Sequence, residues 1–158
     1  MKQIANWALN LATMRGATYA DVRIVSQRNR ALTTKNGKVG SASDAESLGM
    51  SVRMLVDGAW GFAASEELSR PRVEATAARA FEIARASAQV KEQDVRLAPE
   101  TPVTAEWVTP YVIDPFSISV EQNIALLLNI DSELRAVAGI TLAEGNLNFC
   151  LLYTSRCV

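Results

Sequence analysis

The sequence predicts an α+β fold, a two-layer sandwich in which a mostly antiparallel sheet of about five strands has helices packed on one face. Two observations predict it. Between Leu48 and Val56 a large apolar residue occupies every second position, which is typical of a strand with one buried face. Three other segments, residues 2–15, 69–90 and 119–137, repeat their apolar residues at helical spacing.

The first predicted element is an amphipathic helix over residues 2–15. One face of this helix gathers apolar residues, namely Ile4, Trp7, Ala8, Leu11 and Met14. Gly16 can adopt the left-handed backbone conformation that often ends a helix. The segment Tyr19–Gln27 then alternates apolar and polar residues, which predicts the first strand.

A polar hairpin is predicted over Arg28–Ser43, with its turn at Asn36-Gly37. A two-residue turn places Lys35 and Lys38 opposite each other, which is mildly unfavourable. Because the hairpin carries few large apolar residues, we interpret it as an exposed edge rather than as a basic ligand-binding site.

The segment Glu46–Ser65 predicts a second hairpin, with a tight turn at Asp57-Gly58. Pairing across two turn residues opposes large and small side chains, in the pairs Val56–Ala59, Met54–Gly61 and Val52–Ala63. This face therefore has room for a helix.

The other face of the same hairpin is also apolar. Leu55 is predicted to face Trp60, and Arg53 to face Phe62, with the arginine over an aromatic ring. These four residues are a candidate packing or interface face, and the hairpin contains no nucleophile–base pair.

A helix is predicted from Ser69, which can act as the N-cap, to about Val90, with Pro71 in its first turn. Its alanine-rich stripe consists of Val73, Ala77, Ala80, Ala84 and Ala88, with Phe81 beside it. Small side chains allow close approach, so this helix should pack on the hairpin and share a face of the sheet with helix 2–15.

The rest of the chain changes in character. Four prolines punctuate residues 91–116, which predicts an extended connection with a short strand near residues 106–108. Ser119 and Gln122 form a capping box for the next helix, whose apolar face is Val120, Ile124, Leu127, Leu134 and Val137. A strand is expected from Ile140 to Phe149, after which the alternation stops.

These predicted elements divide the chain into four parts. Residues 1–98 are predicted to form an N-terminal α+β domain and residues 99–118 a proline-rich connection. Residues 119–149 are expected to be the helix and first strand of a further, truncated unit. Residues 150–158 are expected to be a non-native tail.

Composition excludes several classes of function. The 158 residues are 49% hydrophobic and carry a net charge of −1 without a basic stripe, which argues against nucleic-acid binding. The longest apolar run, residues 124–128, is too short to cross a membrane, so we expect a cytoplasmic protein. The absence of histidine excludes His-based triads and HExxH zinc helices within this chain. The two cysteines, Cys150 and Cys157, cannot complete a structural zinc site alone.

Four motifs resemble the N-terminal part of the TldD/PmbA family. They are GATYADVRI at Gly16–Ile24, NGKV at Asn36–Val39, LGMSVRMLVDGAWGFAAS at Leu48–Ser65 and DPF at Asp114–Phe116. The long hairpin motif is the most specific of the four. The resemblance covers roughly residues 4–149 and fails in the tail.

The resemblance implies a longer parent protein, a zinc metallopeptidase that hydrolyses unfolded or small peptides. Its HExxxH-type metal helix would lie in the C-terminal catalytic half, which would be a partner of this domain. The resemblance also implies a homodimer or heterodimer of homologous subunits around a peptide channel. No catalytic, metal or cofactor residue transfers to this chain, because the metal motif requires histidine; this chain alone is expected to be inactive.

Three functions remain open at this stage. The chain is interpreted as a scaffold domain of such a metallopeptidase, with no cofactor of its own. A non-catalytic partner subunit of the same family is the first alternative. A stand-alone protein-binding module that uses Arg53, Leu55, Trp60 and Phe62 is the second, because an apolar second face needs a cover.

Overall fold

A computed structural model describes residues 1–99, 101 and 103–158. It shows an α+β fold, as the sequence predicts. In chain order the elements are α1 (Lys2–Met14), β1 (Tyr19–Lys35), β2 (Lys38–Val56), β3 (Ala59–Ser65), α2 (Arg70–Ala88), a short 3₁₀ turn (Pro115–Ser117), α3 (Val120–Ala136) and β4 (Glu144–Cys157). The strands form one antiparallel sheet in the order β3-β2-β1-β4.

The sheet has four strands rather than about five, because the predicted strand Tyr19–Gln27 and the first arm of the polar hairpin form one continuous strand, β1. A strand at residues 106–108 was also predicted. This segment is not a strand in the structure, so that prediction is wrong.

The chain divides into two compact units. The first contains Met1–Ser26, Ser47–Pro102 and Leu152–Val158, and the second contains Gln27–Glu46 and Val103–Leu151. The domain intervals predicted from the sequence stay predictions. Among the described residues, no helix combines the length and apolar character needed to span a membrane.

The β2–β3 hairpin of the first unit confirms the predicted register. Val56 pairs with Ala59, Met54 with Gly61 and Val52 with Ala63. The turn residues Asp57 and Gly58 have φ angles of 48° and 73°, as a type I′ turn requires. The large side chains of this face are buried, namely Met50, Val52, Met54 and Val56.

Helix α2 packs on this face through the predicted small-residue stripe. Its buried residues are Val73, Thr76, Ala77, Ala80, Phe81 and Ala84. Ser69 is at the N-cap position, but its side chain makes no capping bond. Its hydroxyl donates to Glu67 Oε1 at 2.5 Å, so the side chain is oriented toward this carboxylate.

Helix α1 buries a narrower face than the sequence predicts. Ala5, Ala8 and Ala12 are buried, and the predicted Ile4, Trp7 and Leu11 are only partly buried beside them. Met14 is 87% exposed, so its placement on the packed face is wrong. Three alanines at helical spacing allow close helix packing, and the larger residues then lie at its margins.

In the second unit, residues 38–46 of β2 are exposed, as predicted for a hairpin at a sheet edge. The β1 arm differs, because Arg30, Leu32 and Thr34 are buried. Lys35 Nζ lies 2.6 Å from Glu144 Oε1, so the positive charge of this lysine is balanced by an ion pair.

The Ser119–Gln122 capping box of α3 is confirmed, and the predicted apolar face of this helix is correct only in its first half. The buried residues are Asn123, Leu127 and Asp131, whereas Leu134 and Val137 are 45% and 57% exposed. Residues four apart lie one above the other on a helix, and this stripe, with two polar residues and one leucine, is the one that faces inward.

Strand β4 continues through Cys157, beyond the end predicted at Phe149. Both cysteines are free. Whether residues 150–158 are native stays a prediction.

Candidate functional site on the open face of the sheet

The candidate face carries a carboxylate that is almost completely buried. Asp21 on β1 is 4% exposed, and its Oδ2 atom accepts bonds from Arg53 Nε at 2.9 Å and from Arg53 Nη2 at 2.6 Å. Hydrogen bonding to Asp21 raises the pKa of Arg53 above its ordinary value. The ion pair therefore ties β1 to β2 on the side of the sheet opposite the alanine-rich helix stripe.

The guanidinium of Arg53 also lies over an aromatic ring, as predicted, but over a different one. Its Cζ atom is 4.6 Å from the centre of the Trp60 ring, although Phe62 is the residue directly opposite in the hairpin. The bond to Asp21 holds the guanidinium in the diagonal position. Tyr19 packs edge-on against Trp60, with ring centres 5.7 Å apart.

The four residues predicted for this face differ in exposure. Leu55 is buried, Arg53 and Trp60 are partly buried, and Phe62 is 57% exposed. Phe62 is therefore the one member of the set that is free to contact another molecule over most of its surface.

A second arginine reaches the same carboxylate. Arg156 Nη2 donates to the Tyr19 hydroxyl at 2.6 Å and lies 3.8 Å from Asp21 Oδ2. Two guanidinium groups beside one buried carboxylate form an ion-pair network, and neither is a base that could activate a nucleophile. The groups on this face form ion pairs and packing contacts within the chain.

A similar cluster lies in the second unit. Asp44 accepts bonds from Arg28 and Arg30, with the shortest contact, to Arg30 Nη2, at 2.8 Å. The bonds from Arg28 and then Arg30 lower the pKa of Asp44 to about 2. The Arg28 and Arg30 guanidinium carbons lie 4.7 Å and 5.3 Å from the centre of the Phe116 ring.

This second cluster attaches the DPF segment to the sheet. Arg30 Nη1 donates to the Ile118 carbonyl at 2.8 Å, and Phe116 packs against Phe149 with ring centres 6.2 Å apart. The Asp114 side chain accepts from the Phe116 N–H and starts the 3₁₀ turn. The DPF segment therefore has a structural role in this chain, because its contacts hold it against the sheet.

Sequence reasoning missed the charged partners in both clusters. Asp21 and Asp44 are more than ten residues from the arginines that they bind, so no local motif marks them. The alternation of Tyr19–Gln27 puts Asp21 on the polar side of this strand, which was the available signal for the side on which the structure finds its carboxylate.

The residues that the structure describes do not form a metal centre. No group of three or more His, Cys, Asp or Glu side chains within the described ranges is arranged to hold a metal ion. The sequence contains no histidine, and its two cysteines are free. A zinc site needs nitrogen, oxygen or sulfur ligands that converge on one point, and these residues do not fit it.

Comparisons with known proteins point to one family. Residues 20–84, from β1 through most of α2, match the family model of PmbA/TldA metallopeptidase domain 1. Over 111 residues the chain is 25% identical to a metalloprotease of Methanocaldococcus jannaschii. That alignment covers 70% of this chain and 25% of the relative.

Solved structures share the fold. A proposed modulator of DNA gyrase from Bacteroides thetaiotaomicron matches 99% of this chain with a TM-score of 0.78 and 19% identity, and the match covers 36% of that protein. TldE from Thermococcus kodakarensis matches with a TM-score of 0.63 and 9% identity, over 99% of this chain and 34% of that protein. The chain thus spans about a quarter to a third of the length of these relatives.

Proposed function

We propose that this chain belongs to the PmbA/TldD metallopeptidase family. On that premise, it is a scaffold domain of a zinc metallopeptidase that acts on unfolded or small peptides. The observation that carries this proposal is the match of residues 20–84 to the first domain of the family. Those residues contain the hairpin and the helix whose packing forms the core of the first unit.

The metal site of the proposed enzyme lies outside this chain. This part of the proposal is supported by the lack of histidine and by the lack of converging ligands in the described residues. The zinc ion would supply a Lewis acid and an activated water to the parent protein. The role of this chain is to fold, to present surfaces and to position other parts of the protein.

We further propose that the face of Arg53, Leu55, Trp60 and Phe62 contacts either the catalytic half of the parent or a homologous subunit. Arginine and aromatic side chains are common at protein interfaces. The Asp21–Arg53 bond fixes the arginine and the Trp60 ring in one arrangement, which lowers the entropy lost on binding. The protein would work in the cytoplasm.

The proposal is tested by expressing the complete gene product that contains this sequence. We expect the purified product to hold zinc, to cleave an unfolded casein substrate and to lose cleavage when zinc is chelated. A product that folds but neither binds zinc nor cleaves casein would instead favour a non-catalytic partner subunit.

A further inference from the structure

Strand β3 has a free edge, and the register shows which backbone groups lie on it. β3 is the outermost strand of the sheet, and β2 is its neighbour. Val56 and Ala59 flank a two-residue turn and form a hydrogen-bonded pair, so every second pair along the hairpin is hydrogen-bonded in the same way. The N–H and C=O groups of Trp60, Phe62 and Ala64 consequently point away from β2.

A groove of about 500 Å³ lies between the end of this edge strand and α2. The strand contributes Ala63, Ala64 and Ser65 to its lining, and Glu66 and Glu67 follow. The helix contributes Arg72, Ala75, Thr76 and Arg79, which share one face. An edge strand beside a helix is the arrangement in which an extended peptide can add to a sheet.

The charges of the groove favour an acidic ligand along the helix. Glu67 accepts from Ser69 and, at 3.1 Å, from Arg72, and these bonds lower the Glu67 pKa. Arg79 is exposed and forms no ion pair or side-chain hydrogen bond within the described ranges. Glu66 also forms no ion pair within the described ranges, so the lining has one unpaired negative charge after the strand and one unpaired positive charge, that of Arg79, on the helix.

We propose that the β3 edge and the Arg72–Arg79 face of α2 bind an extended peptide that carries an acidic side chain. The backbone of this peptide pairs with the backbone of Trp60, Phe62 and Ala64. Alternate residues of such a peptide point to opposite faces. One set would therefore face Arg79, and the other would cover the exposed Phe62. Identifying this peptide as a segment of the enzyme's substrate rests on the proposed function, whereas the groove itself does not.

The probe is a blocked pentapeptide of alternating glutamate and valine, titrated into the 158-residue chain and followed by amide chemical shifts. A peptide of alternating lysine and valine is the charge control. We expect the acidic peptide to shift the Trp60, Phe62 and Ala64 amides and to bind more tightly than the basic peptide. Equal binding of the two peptides, or shifts confined to another surface, would overturn the proposal.

The helix side of the groove is tested with Arg79→Glu. This change should weaken binding of the acidic peptide roughly five- to tenfold, as expected for reversing one exposed charge. Arg85→Glu makes the same change in charge on the same helix, outside the groove lining, and should leave binding unaltered. Equal effects of the two variants would contradict a specific role of Arg79.

The backbone side is tested with the peptide rather than with the protein. N-methylation along the acidic peptide removes its N–H donors and should abolish binding without any effect on the folding of the chain. A second test is Ala64→Pro, which removes an outward N–H that β2 does not use. If the chain self-associates through β3 and the peptide does not bind, a second copy is the occupant and the proposal fails.

These experiments measure binding by the chain alone, so their outcome is separate from that of the zinc and cleavage assays. A parent protein without peptidase activity would leave peptide binding by the groove intact. Loss of the groove would leave the zinc chemistry proposed for the rest of the protein unaffected.

Discussion

Gly61 on β3 lies directly against Ala84 on α2. A Cβ atom placed on Gly61 would be 2.8 Å from Ala84 Cβ and would overlap the Ala80 carbonyl oxygen. The backbone of a helix can approach a strand this closely only where both contribute small residues. The pairing of Met54 with Gly61 supplies the bulk on β2 and the space on β3.

Gly61→Ala should therefore destabilise the chain strongly. The added methyl group meets helix backbone, which cannot move as a side chain can, so we expect a loss of about 3 kcal/mol. Urea denaturation measures it. Gly49→Ala is the matched control, because its new Cβ would lie 3.3 Å from the nearest atom, and it should cost less than half as much. Similar losses in both variants would contradict close packing at Gly61.

Arg53→Met should destabilise the first unit by about 2 kcal/mol, because it leaves the buried Asp21 carboxylate without its closest partner. Methionine keeps most of the apolar stem over Trp60. The fluorescence of the chain should also change, since the cation leaves the indole ring. Arg23→Met, at an exposed position on β1, should change neither quantity. An unchanged unfolding midpoint for Arg53→Met would show that Asp21 is held by other groups.

Asp44 should make stability depend on pH in the acid range. Its folded-state pKa of about 2 lies below the ordinary value of 3.8, so the unfolded chain binds the proton more readily. The stabilisation is complete above pH 4 and is lost as the pH falls from about 4 to about 2. Asp44→Asn should remove this part of the dependence, measured as unfolding free energy against pH.

The control for that experiment is Glu46→Gln, which alters an exposed acid 3.4 Å from the same Arg28. The Glu46 variant should keep the steep decrease in stability below pH 4. A wild-type curve that is flat between pH 4 and pH 2 would contradict the bonding of Asp44 to the two arginines.

Asn123→Leu should stabilise the second unit by about 1 kcal/mol. Asn123 is 4% exposed, and its Nδ2 atom has no hydrogen-bond partner among the described residues. Replacing an unsatisfied buried amide by an apolar group of similar size removes a desolvation cost. Asn129→Leu, on the exposed side of the same helix, should have little effect on the thermal midpoint. A lower midpoint for Asn123→Leu would show that the amide has a partner such as a bound water.

The sequence was sufficient for the β2–β3 hairpin because local features determine it. A two-residue turn at Asp57-Gly58 sets the register, and alternation chooses the buried face. The same reasoning succeeded only in part for α3. Leu127 is buried as predicted, but Asn123 and Asp131 are buried with it whereas Leu134 and Val137 are exposed, a choice that depends on contacts far along the chain.

The charged clusters were missed for a related reason. A two-residue turn at Asn36-Gly37 would place Arg30 opposite Ser43 and Asp21 opposite Val52. The observed bonds join Arg30 to Asp44 and Asp21 to Arg53, one residue further along β2 in each case. An extra residue in one strand produces such a shift, and an alternating pattern alone does not reveal where it occurs.

The most direct test separates the chain from the rest of the parent protein proposed above. Residues 1–158 and the remainder of the gene product would be purified separately, assayed for zinc, and mixed before measuring cleavage of unfolded casein. We predict that the remainder holds the zinc, that the chain holds none, and that cleavage requires both parts. Zinc bound by residues 1–158, or full cleavage by the remainder alone, would contradict a scaffold role for this domain.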